Sequence, residues 1–170
     1  STGDLVVVGY YAASNPVGCD FDLNNPGQYT ATGSGLFVAK YSAATGACTG
    51  LFTYSNAVGS DLCTDASGNI YVVGNTTSWD VALFGLSSNL SLLPWGTNPV
   101  IESGGLNGGM GRGICITNFN GDDHIYITGE KSGWIFVSDY LTNGNQYQAS
   151  NNIINAGTAR SIVADNTYAY

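Results

Sequence analysis

Ten aspartates, two glutamates, four basic side chains and one histidine are the charged or near-neutral titrating groups from which this 170-residue chain could build acid–base chemistry. The histidine, His124, opens an apolar run directly after Asp122 and Asp123. A histidine at a hairpin end beside a carboxylate more often orders the turn than moves a proton. Glu102 and Glu130 stand in no sequence relation that predicts the carboxylate separation needed for glycoside hydrolysis. Neither a Gly-x-Ser-x-Gly nucleophile elbow nor a phosphate-cradling glycine loop occurs. No catalytic residues are therefore assigned, and the chain is read as noncatalytic.

Asp20, Asp22 and Asn24 alternate as oxygen ligands do in calcium loops, which makes them the one candidate metal site; no other cofactor is expected. The loop departs from the EF-hand pattern, because Asn25 replaces the glycine of the sixth position and Ala31 the closing glutamate of the twelfth. The competing reading is that these residues cap a turn ahead of Pro26 and Gly27. Cys19, Cys48, Cys63 and Cys115 lack zinc spacing. Four cysteines allow three disulfide connectivities, and Cys19 with Cys48 is the preferred pair because both lie in the most elaborated part of the chain. Cys63 and Cys115 serve equally well as small buried hydrophobes. Asn75 and Asn89 head the two N-glycosylation sequons, each expected in an inter-strand loop. Trp79 and Trp95 lie close to loops, where an indole face could stack on a sugar ring or fill the wedge between sheets. Trp134 begins an apolar run and is expected in the core.

Composition limits the partners. Charged residues are 9% of the chain, against roughly 25% in an average soluble protein, while 24 glycines, 17 asparagines, 16 serines and 15 threonines supply an uncharged polar surface. With a net charge of -8, no basic patch exists to displace counterions from a phosphate backbone, so nucleic acid is excluded as a partner. No apolar run reaches the roughly 18 residues of a spanning helix.

The elements that must position these residues are strands. Helical periodicity is nearly absent, whereas short β-branched and aromatic runs bounded by Gly, Asn, Asp and Ser recur throughout. The runs repeat. Asp4-Leu5-Val6-Val7-Val8-Gly9 is echoed by Asn69-Ile70-Tyr71-Val72-Val73-Gly74 and by His124-Ile125-Tyr126-Ile127-Thr128-Gly129. A preceding strand type starts at Ser60, Arg112 and Arg160, at spacings of 52 and 48 residues. A following type starts at Leu36, Val81 and Trp134, and a weaker fourth near Leu51, Leu92 and Gln146. Four short strands repeating about every 50 residues predict an all-β, β-propeller-like array of four-stranded antiparallel blades. The expected blocks are 3–58 with a loop insertion at 12–33, 59–108, 109–157, and the start of a fourth at 158–170. That is roughly three blades, fewer than the four to eight of a closed ring, so further blades of the same chain or other subunits are expected to complete it.

The run Asp65-Ala66-Ser67-Gly68-Asn69-Ile70-Tyr71-Val72-Val73-Gly74-Asn75-Thr76, with Gly35-Leu36-Phe37-Val38-Ala39-Lys40-Tyr41 and the inserted Asp20-Phe21-Asp22-Leu23-Asn24-Asn25-Pro26-Gly27, resembles the SBBP-type β-propeller repeat of bacterial secreted and cell-surface proteins. The resemblance implies an extracellular or cell-surface location and a propeller, and it implies no reaction. Together these readings predict a secreted scaffold or interaction module. A carbohydrate-binding propeller and a noncatalytic part of a larger secreted enzyme are the alternatives, with glycans as the additional candidate partners.

Overall fold

The computed structural model describes residues 3–13, 18–102, 108–155 and 157–164, and these contain strands and no helix. The expected second-type strand at Thr167 to Tyr170 lies outside the described residues. All paired strands are antiparallel, in four sheets. The chain divides into two compact units, Ser1–Gly59 and Ser60–Tyr170.

In the first unit, β1 (Leu5–Ala13), β4 (Gly33–Tyr41) and β5 (Cys48–Ser55) form a three-stranded sheet in the order β1-β4-β5. The insertion between β1 and β4 carries a minimal hairpin of β2 (Cys19–Asp20) and β3 (Thr30–Ala31). Phe21 of this insertion packs on Phe37 of β4 at 4.8 Å between ring centroids and meets the edge of Tyr11.

The second sheet series begins with β6 (Ala57–Thr64), β7 (Ile70–Thr76), β8 (Val81–Leu86) and β9 (Val100–Glu102), ordered β6-β7-β8-β9. The next sheet repeats the order with β10 (Gly109–Phe119), β11 (Asp122–Lys131), β12 (Trp134–Leu141) and β13 (Gln146–Asn155). β7 and β8 are buried along nearly their whole length, as their continuous apolar runs demand: a sheet covered on one side only would alternate. What covers β7 includes β10. A Cβ on Gly111 would lie 2.8 Å from the carbonyl oxygen of Gly74, so only glycine lets β10 pass this close. One core runs through both sheets, from Tyr71, Val73 and Leu83 to Ile114, Ile127 and Phe136.

Two expectations need correction. The fourth strand of the second sheet does not begin near Leu92, which makes only an isolated bridge to Leu86; pairing resumes at Val100. Pro94 and Pro99 fall in this stretch and have no N–H to give a ladder. Trp134 starts β12 but is 37% exposed at the hairpin end rather than a core residue.

Candidate functional site

Asp20 and Asp22 are turn caps. Asp20 accepts hydrogen bonds from the backbone N–H of Asp22 (3.0 Å) and of Gly27 (2.9 Å), and buried Asp22 accepts from the N–H of Asn24 (3.1 Å). Among the described residues no three His, Cys, Asp or Glu side chains gather as a metal set. Asp65 repeats the capping device at the turn between β6 and β7: it accepts from the N–H groups of Ser67 and Asn69, from Asn69 Nδ2 and from the Tyr71 hydroxyl, all within 3.0 Å. Partial burial of this carboxyl opposes ionisation, but the four hydrogen bonds outweigh it and hold the group below its ordinary pKa.

All four cysteines are free thiols, so the expected Cys19 to Cys48 bridge is not formed in this structure. Burial pushes the Cys63 thiol up to about 12, with the Cys115 thiolate adding to the effect, and Cys115 itself to about 11.

His124 takes its partner from across the sheet, not from its sequence neighbours. Its Nδ1 lies 2.9 Å from Oδ1 of Asp139 on β12, and the ring is 2% exposed, flanked by Phe119, Tyr126 and Tyr147. Asp123 instead accepts from Asn118 Nδ2. Glu102 is committed too. Glu102 on β9 pairs with Lys131 Nζ at 3.2 Å and accepts from the hydroxyl of buried Tyr140, tying one four-stranded sheet to the next. Glu130 Oε1 faces Arg112 Nε at 3.7 Å. Arg112 is the extra residue of a bulge, because the register jumps from Gly111 opposite Gly129 to Gly113 opposite Thr128, and this re-aims its side chain. No pattern in the sequence announces the bulge, since it depends on two strands being in register.

The two tryptophans proposed for sugar stacking sit at opposite ends of the β7–β8 hairpin. Trp95 is half-buried and donates from Nε1 to the carbonyl of Thr142 (2.9 Å), with its ring lying over the backbone of Gly85 and Gly144. It borders a shallow groove with Asp65, Asn69, Asp123 and Asn143, but as a wedge between sheets. Trp79 is different: it occupies the turn from β7 to β8, is 54% exposed, and lines a groove of about 250 Å³ with Gly108, Gly109, Met110, Glu130 and Gly133. Of the two sequons, Asn89 is exposed in the turn after β8, whereas Asn75 is not in a loop. It lies within β7, 9% exposed, donating from Nδ2 to the Thr76 carbonyl.

No family model, curated protein or solved structure matches the chain. No helix of the described residues is long and apolar enough to cross a membrane.

Proposed function

We propose that the chain is a noncatalytic scaffold and interaction module of a secreted or cell-surface protein, built as a segment of a β-propeller. The observation that carries this reading is the repetition of one four-strand order in β6–β9 and β10–β13, with β10 packed on the face of β7. Repeated sheets that cover one another's faces are the construction unit of a propeller. The commitment of titratable groups to one another supports a noncatalytic role: His124 to Asp139, Glu102 to Lys131 and Tyr140, and Asp65 to its own turn. The resemblance to SBBP-type repeats favours the same location and architecture. Further blades, from the same polypeptide or from other subunits, complete the ring.

Electron cryomicroscopy of the intact secreted protein, with light scattering for its mass, tests the architecture. Sheets radiating from one axis are expected; sheets stacked as a sandwich overturn the propeller. Turnover on panels of chromogenic glycosides, esters and peptides, lost with a point mutation in this chain, would overturn the noncatalytic reading.

A further inference from the structure

We propose that the groove beside Trp79 is a binding subsite for a neutral saccharide, with one sugar ring stacked on the indole and Glu130 accepting from its hydroxyls. The inference rests on the reading of the chain as an interaction module and names what that module holds.

Four turns among the described residues share one hydrogen-bond pattern, in which a backbone N–H donates to the carbonyl three residues earlier. Gly68 donates to Asp65, Trp79 to Thr76, Leu90 to Ser87 and Gly144 to Leu141. All four donors have left-handed backbones, with φ of 81°, 62°, 63° and 83°. Glycine adopts this conformation freely, while a side chain there costs about 1–2 kcal/mol. Leu90 offsets the cost by burial, being only 8% exposed. Trp79 is covered less completely, with over half of its surface facing solvent. A bulky residue held in a strained turn with over half of its surface in solvent is the kind of outlier that points to function rather than folding.

The surroundings hold the indole in place and give it company. The turn is anchored to the neighbouring sheet, since Gly109 N–H donates to the Trp79 carbonyl at 2.5 Å and a Cβ on Gly108 would stand 2.8 Å from Trp79 Cβ. The second wall comes from the β11–β12 hairpin, whose Ser132 N–H donates to the Gly108 carbonyl and whose Gly133 borders the groove. Trp134, next in the chain, is a further exposed indole at that hairpin end. The volume of about 250 Å³ is below the roughly 300–1,000 Å³ of sites for drug-sized ligands and suits a single ring. Its chemistry is that of sugar recognition: an aromatic face for the C–H side of a pyranose and a carboxylate acceptor for its hydroxyls. Arg112 balances the charge of Glu130, and the net charge of -8 disfavours anionic glycans, so the ligand is neutral.

The test is Trp79→Gly, which removes the indole while relieving the backbone. Intact protein is titrated with neutral mono- and disaccharides of glucose, galactose, mannose and N-acetylglucosamine, read by tryptophan fluorescence and calorimetry. Saturable binding is expected in the parent, weakened at least tenfold in Trp79→Gly and severalfold in Glu130→Gln, with the Tm of Trp79→Gly unchanged or raised. The absence of saturable binding by any of these sugars, binding undiminished in Trp79→Gly, or a lowered Tm of that variant would each overturn the proposal. Tighter binding of cationic than of neutral analogues would overturn it as well. The scaffold reading is judged separately, by the particle mass and sheet arrangement of the parent protein.

Discussion

Trp95 occupies the space that a side chain at position 144 would need. A Cβ on Gly144 would stand 2.5 Å from Cδ2 of the indole and 2.7 Å from Cγ, and Gly144 also has a φ of 83°. Two demands, one steric and one conformational, therefore meet at one glycine. They fix the β12–β13 turn to the loop that leads into β9, and the bond from Trp95 Nε1 to the Thr142 carbonyl holds the same joint.

Gly144→Ala is expected to destabilise the protein by about 2–5 kcal/mol, the sum of a left-handed alanine and an overpacked contact. Gly121→Ala is the control, since Gly121 has a φ of 96° but nothing within 4 Å of its Cβ position. It should cost only about 1–2 kcal/mol. Urea unfolding of both variants checks this, and equal losses would show that the Trp95 contact yields freely.

Thiol chemistry gives a second expectation. Thiolate is the reactive form, so at pH 8 the Cys63 and Cys115 thiols, raised to about 12 and about 11, react slowly with a disulfide reagent in the folded protein. After unfolding without reductant, all four cysteines should titrate as free thiols. Titration of two, with Cys19 and Cys48 recovered as one peptide, would restore the bridge expected from their positions in the chain.

The strands were legible in the sequence because each apolar run carries its own boundary residues. Ile70 to Val73 reads as a strand buried on both faces, and it is one. What could not be read was any feature set by register between strands. His124 stands beside two aspartates in the chain, yet pairs with Asp139, 15 residues on, because Tyr126 lies opposite Asp139 across β11 and β12. Arg112 reaches Glu130 only through a bulge. Trp79 and Trp95 looked alike as loop tryptophans; only the turn geometry and the glycines under the second ring separate them.

Expression in a glycosylating host should place glycan on Asn89 and not on Asn75 in folded, secreted material. Asn75 is opposite Val81 in the β7–β8 ladder and buried, so a glycan there is incompatible with the sheet. Loss of the sugar mass in Asn89→Gln, with none lost in Asn75→Gln, is the expected result by intact mass spectrometry. A glycopeptide containing Asn75 from folded protein would contradict the placement of that side chain.

Two carboxylates should pull the pH dependence of stability in opposite directions. Asp65 is held below its ordinary pKa, so the unfolded chain binds its proton more readily than the folded one. Its contribution is present above the ordinary carboxylate pKa of about 3.9 and is lost as pH falls through the depressed value. Asp139 behaves inversely. Burial raises its pKa, more than the hydrogen bonds from His124 and Tyr126 lower it, so its contribution is present below the ordinary value and is lost as pH rises through the raised one. Asp65→Asn is therefore expected to flatten the acid limb of a stability profile measured by urea unfolding between pH 2 and 7, costing about 1–2 kcal/mol at neutral pH. Asp139→Asn should remove the loss on the other side of the carboxylate range. It keeps an acceptor for His124 without a buried charge, so its effect relative to the parent improves as pH rises through that range. Parallel profiles for the two variants would mean that neither carboxylate is perturbed by its surroundings as these hydrogen bonds require.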